Sequence, residues 1–171
     1  MKLTLYIILL LFISNILFAQ KWDHIVGIND AKKIQELLNK GANPNLKNAD
    51  GYTWLHLAIS KQNLEMMKVL IAKGADINAL YGDKYTKVPP LEEAVNAKFF
   101  DGLKFLLEKD AKTDNKINFN QQTILHQIAQ RKEADYVKML KILLDSNIDP
   151  NPTNKFGETP IYSAASNHNN D

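Results

Sequence analysis

The chain has 171 residues, of which 45% are apolar and 23% charged, a balance that supports a packed core and excludes a disordered polyelectrolyte. Twenty-one basic and nineteen acidic side chains leave a formal charge of +2, Arg131 is the one arginine, and no dense lysine cluster occurs. The electrostatic footprint of a nucleic-acid or anionic-membrane binder is therefore missing, and with no cysteine disulfides, thiolate metal sites, a cysteine nucleophile and a cysteine-linked lipid anchor are excluded.

The first predicted element is a leader. Lys2 is followed by an apolar run from Leu3 to Phe18, interrupted only by Thr4, Ser14 and Asn15, and then by Ala19. A basic start, an apolar stretch and a small residue at a cleavage point predict an export signal over residues 1–19, although Leu17 stands where a small residue is preferred. The expected destination is the periplasm or the exterior. The alternative is an uncleaved anchor tethering the chain to a membrane, against which the run falls short of the roughly 20 residues a spanning helix needs.

From Trp22 onward the chain repeats. Leu37-Leu38, Leu70-Ile71, Leu106-Leu107 and Leu143-Leu144 are spaced by 33, 36 and 37 residues, and Leu55, Leu91, Leu125 and Ile161 by 36, 34 and 36. Two series drifting together mark one supersecondary unit copied along the chain. The predicted units are 20–50, 51–87, 88–116, 117–155 and a partial one at 156–171. The first lacks a helix-start motif at Asp23-His24-Ile25-Val26, as an amino-terminal capping unit does, and its second helix is predicted over Ala31 to Lys40.

The unit from Gly51 to Asn78 shows the local chemistry best. Thr53 can cap a short helix carrying Leu55, Ala58 and Ile59 on one face, and Asn63 a second one carrying Leu64, Met67, Leu70 and Ile71. Gly74 then suits the left-handed helix exit. In the third unit Pro90 fits a helix start but Pro89 has no side chain to cap with, a loss of roughly 1 kcal/mol. Asp110 and Asn147 stand where the glycine should be, types that tolerate the left-handed region at some strain.

Two insertions interrupt the period. The stretch from Asn78 to Leu91 carries extra residues around Gly82-Asp83, which predicts a longer loop, and Arg131, Lys132, Glu133, Ala134 and Asp135 predict an enlarged turn between helices. Phe156 to Ala165 starts another first helix, but no second helix follows before Asp171, so the expectation is either a longer array of which this is a part or an array that ends frayed.

Thr53-Trp54-Leu55-His56-Leu57-Ala58 followed by Gly74-Ala75-Asp76-Ile77-Asn78 resembles the ankyrin repeat, and Thr123-Ile124-Leu125-His126, Gly41-Ala42-Asn43-Pro44-Asn45 and Thr159-Pro160-Ile161-Tyr162 repeat parts of the pattern. The resemblance implies an all-α solenoid of stacked helix-turn-helix units with protruding hairpin-like loops. It implies that His56 and His126 tie each helix start to the neighbouring loop by hydrogen bonds, and that a protein partner is bound along loop tips and the concave first-helix surface. On that mapping the candidates are Tyr52, Trp54, Lys61, Tyr81, Lys84, Tyr85, Asn96, Lys98, Asn118, Asn120, Arg131 and Lys155. Trp54 is the focus: it replaces the family's proline, and with Tyr52, Tyr81 and Tyr85 it is expected to form a partly exposed aromatic hot spot.

Catalytic readings are weaker. His24 and His168 lack carboxylates at ligand spacing, and Met66 and Met67 read as packing residues. Glu92 and Glu93 read as a solvated helix edge, because adjacent helical residues diverge and cannot converge as a dyad. No phosphate-binding loop, nucleophile elbow or zinc-protease motif occurs. The expectation is an exported protein-binding module, not an enzyme, without cofactor or metal, holding an enzyme or toxin inactive. Neither nucleic acid nor, unless the leader is retained, a membrane is expected as a partner.

Overall fold

The computed structural model describes residues 29–48, 51–83 and 85–168. The expected leader and the start of the first unit lie outside these residues. The described chain forms eight helices: α1 (Ala31–Asn39), α2 (Trp54–Ser60), α3 (Leu64–Ala72), α4 (Pro90–Asn96), α5 (Phe100–Glu108), α6 (Ile124–Ala129), α7 (Ala134–Asp145) and α8 (Pro160–His168). The helices α2 and α3, α4 and α5, and α6 and α7 pair as hairpins; α3 packs on α1, α5 on α3 and α7 on α5, while α4 packs on α2 and α8 on α6. The result is the expected two-layer helical stack.

Local chemistry accounts for the helix boundaries. The Asp30 carboxylate accepts from Lys32 N–H at 2.9 Å, the Asn63 side chain from Met66 N–H at 2.9 Å and the Thr53 hydroxyl from His56 N–H at 3.4 Å. Pro89 precedes α4 without a side-chain cap, as its chemistry requires. The exits use the left-handed region: Gly74 has φ +88°, while Asp110 and Asn147 reach +57° in the two units that lack glycine.

The apolar stripes meet in one continuous core running through Ile34, Leu38, Leu55, Ile59, Met67, Leu70, Leu91, Leu103, Leu106, Leu125, Ile128, Met139 and Leu143. Met66 and Met67 are both buried in it. Polar side chains fasten one unit to the next: Asn45 takes Asp76 N–H and donates to Gly74 O at 3.0 Å, and Asn78 takes Lys112 N–H at 2.8 Å.

One element departs from expectation. The turn after α6 is not enlarged by five residues, because Ala134 and Asp135 belong to α7, which has 12 residues where α3 and α5 have 9. The added residues extend a helix by about one turn. Tyr136, Met139 and Leu143 remain buried at spacings of 3 and 4, so the extra turn keeps the apolar stripe in phase. Of the pair at the end of α7, Leu143 is fully buried and Leu144 is 42% exposed beside an apolar groove lined by Leu125, Leu140, Pro160 and Ile161.

Candidate protein-interaction surface

The protruding loops are built as small turns and tied edge to edge. In the long loop, Tyr81 and Val88 pair in an antiparallel bridge, and one Asp83 carboxylate oxygen accepts from Tyr85 N–H and Thr86 N–H, both at 2.8 Å. Those two donors hold the Asp83 carboxyl below its ordinary value. Thr86 then pairs with Asn118 of the next loop, Lys87 N–H donating to Ile117 O at 2.9 Å. Asn118 closes its own turn by accepting from Asn120 N–H and Gln122 N–H, and Lys155 N–H donates to Asn120 O at 3.0 Å. Three successive tips thus form one supported ridge.

Large aromatic side chains stand on that ridge. Tyr85 is 55% exposed, Phe119 70% and Phe156 64%. The Thr86–Asn118 bridge sets Tyr85 opposite Phe119 in the register of an antiparallel pair. The Lys155 ammonium lies 3.5 Å from the Phe119 ring centroid and 4.9 Å from that of Phe156. Such cation–π contacts contribute about 0.5–1 kcal/mol each at exposed sites, enough to order a lysine between two rings.

The other predicted residues divide by position. Asn118 is half-buried, donating to the Gln122 side chain at 2.7 Å, and Asn120 is exposed. Lys61, Asn96, Lys98 and Arg131 are exposed around the ends of α2, α4 and α6. Lys98 pairs with Asp135 at 3.5 Å, and Arg131 donates to the Tyr136 hydroxyl at 3.0 Å with its guanidinium over the same ring. Lys84 lies outside the described residues.

Trp54 requires a correction. It is the first residue of α2 and fully buried, a member of the central core, so it offers no surface to a partner. Tyr52 and Tyr81 are half-buried and turned on each other, their rings 4.0 Å apart, with Tyr52 OH donating to Tyr81 OH and Tyr81 OH to Glu93 Oε2, each at 2.9 Å. Burial and these neighbours push the Tyr81 hydroxyl above its ordinary value. The pair closes a junction between units, and of the four expected hot-spot aromatics only Tyr85 stands out into solvent. Phe119 and Phe156 stand out into solvent beside it; their trace in the sequence is an aromatic residue set in the polar runs Asn118-Phe119-Asn120 and Lys155-Phe156-Gly157.

The histidines hold the architecture. His56 Nδ1 is 2.8 Å from the Thr53 hydroxyl and its Nε2 is 3.2 Å from Val88 O; in His126 the same contacts, to Thr123 and Glu158 O, measure 3.0 and 2.9 Å. Burial lowers His56 to about 4, so near neutrality its ring is uncharged, accepting from Thr53 and donating to Val88. The reading of Glu92 and Glu93 as a solvated edge is overturned: they are 4% and 7% exposed. Both face the junctions between units. Burial raises Glu92 to about 7 and Glu93 above its ordinary value. Among the described residues no three histidine or acidic side chains converge as a metal site.

A family pattern for ankyrin repeats in three copies matches residues 24–117 and again 91–171. The chain belongs to the ankyrin-repeat family. It is 32% identical over 138 residues to an ankyrin repeat protein of fowlpox virus, covering 80% of this chain and 30% of that protein. A mitochondrial disaggregase of Bos taurus is 29% identical over 137 residues, which are 78% of this chain and 19% of the relative. An ankyrin repeat protein of Rickettsia felis is 32% identical over 140 residues, 77% of this chain and 60% of the relative. The chain thus spans less than two-thirds of these relatives' own lengths.

Proposed function

We propose that this chain is an exported protein-recognition module whose contact surface is the tip ridge of Tyr85, Phe119, Lys155 and Phe156, continued by Lys61, Asn96, Lys98 and Arg131 at the first-helix ends. The observation that carries the reading is the exposure of three large aromatic side chains on hydrogen-bonded tips, Tyr85 and Phe119 in register with each other. Exposed aromatics held by a rigid scaffold lose little conformational entropy on binding, which is what makes them effective anchors. The mode of action that fits is occlusion: a rigid module covering the working surface of an enzyme or toxin. Membership of a protein-interaction family supports the coarse reading.

Two measurements test it. Capture of partner from the exported compartment should fall at least about tenfold when Phe119 and Phe156 are both changed to alanine, since anchors of this type contribute on the order of 2 kcal/mol each. The idea is abandoned if the folded double variant captures as well as the parent. Export is tested by amino-terminal sequencing of the purified protein, which should begin at Gln20; a protein starting at Met1 in the cytoplasm contradicts it.

A further inference from the structure

The third unit departs from its neighbours at one buried position. His56 and His126 are the third residues of α2 and α6, and Glu92 is the third residue of α4. Each histidine accepts from the threonine that caps its helix and places Nε2 against the backbone carbonyl of the following unit just before that unit's own cap, at Val88 and Glu158. In the third unit the cap is Pro89, which offers no hydroxyl, and the carbonyl in matching register is that of Gln122. Glu92 is 4% exposed; the Gln127 side chain of the next unit donates to its carboxyl, but Oε2 has no hydrogen-bond partner among the described residues.

A carboxylate oxygen so placed accepts nothing and is shielded from water, a costly arrangement for a charge. A protonated carboxyl instead carries one O–H donor, the same capacity that the neutral His56 ring uses at this position. We propose that Glu92 serves as a neutral carboxylic acid standing in for the missing histidine, and that its ionisation loosens the docking of the fourth unit on the third.

The surrounding groups act in both directions: burial, the largest influence, favours the neutral form, and the Gln127 donor favours the charged one. On its own helix Glu93 disfavours the charged form; across the junction Arg131 favours it, but Arg131 is exposed and engaged with Tyr136. From α2, His56 is turned to Thr53 and Val88, and Lys61 is exposed. From α5, Asp101 and Lys104 are exposed, and Asp135 of α7 pairs with Lys98. Burial outweighs these charges and places the titration at about 7. The sign follows: between the ordinary value of 4.5 and about 7 the folded chain binds the proton that the unfolded chain releases, so stability falls as pH rises through this window.

The test compares the full chain with Glu92→Gln, whose amide keeps the shape and a donor but never ionises. Between pH 5 and 8 the parent melting temperature should fall by about 5 °C or more relative to the variant, given roughly 2–4 °C per kcal/mol at this size. Carbon-13 titration of the parent should show the Glu92 carboxyl ionising near neutrality, and amide protection around Thr123 to Ile128, corrected for intrinsic rates, should weaken at pH 8 in the parent alone. Parallel melting profiles, or a Glu92 titration at the ordinary carboxylate value, overturn the proposal. If Glu92→Gln does not fold, the parent's titration and exchange decide it by themselves.

Discussion

Trp54 and Phe119 show how two aromatic residues of similar apolar content do opposite work. Trp54 occupies the first turn of α2 and disappears into the core, whereas Phe119 sits on a loop tip at 70% exposure. Truncating a fully buried aromatic side chain removes its transfer energy and leaves a cavity, a loss of about 3–5 kcal/mol. Trp54→Ala should therefore shift the urea midpoint strongly; an unchanged midpoint would place the indole outside the core. Phe119→Ala and Phe156→Ala should each stay within about 1 kcal/mol of the parent in the same measurement, since exposed positions carry little folding energy beyond the contact each ring makes with Lys155. Stability and recognition then separate residue by residue.

At the scale of the helix and its exit, the repeat pattern is written in caps and turns. Thr53, Asn63 and Asp30 cap as their types suggest, and Gly74 exits through the left-handed region. Asp110 adopts the same conformation at φ +57° without being glycine. Replacing it by glycine should stabilise the chain by about 0.5–1 kcal/mol, while alanine, with a Cβ and no compensating polar group, should destabilise it. Thermal melts of the two variants moving in opposite directions are the expected result, and a glycine variant that melts lower than the parent contradicts it. The same local rules misplaced Ala134 and Asp135. A three-residue excess looks like a longer turn when counted between motifs, but it is close to one helical turn, and α7 absorbs it with its apolar stripe in phase.

At the scale of the whole molecule, each unit buries its apolar face only against its neighbours, so stability is a chain of unit–unit junctions. The junctions here differ in chemistry. His56 and His126 bond across theirs through Nε2, Tyr52, Tyr81 and Glu93 form a hydrogen-bonded relay, and Glu92 has an oxygen without a hydrogen-bond partner among the described residues at the junction between the third and fourth units. The loop tips form a second line of contact, where Lys87, Asn118, Asn120 and Lys155 join three units into the ridge that carries the exposed rings. Rigidity of the surface and pH sensitivity of the stack therefore arise from the same neighbour-to-neighbour construction.

The sequence by itself determined the repeat, the helix pairs, their caps and left-handed exits, and the architectural use of His56 and His126. The caps and exits are properties of residues within a few positions of one another, where backbone preference and hydrogen bonding decide, whereas the histidine contacts, which reach carbonyls 32 residues on, followed from the resemblance to the ankyrin repeat. Only the tertiary structure decided that Trp54 is core, that Tyr52 and Tyr81 face each other, that Glu92 and Glu93 are buried, and that Phe119 and Phe156 are exposed. The reason is physical: a side chain's place on its own helix or loop follows from local spacing, but its access to water depends on what the next unit, some 35 residues away, lays over it.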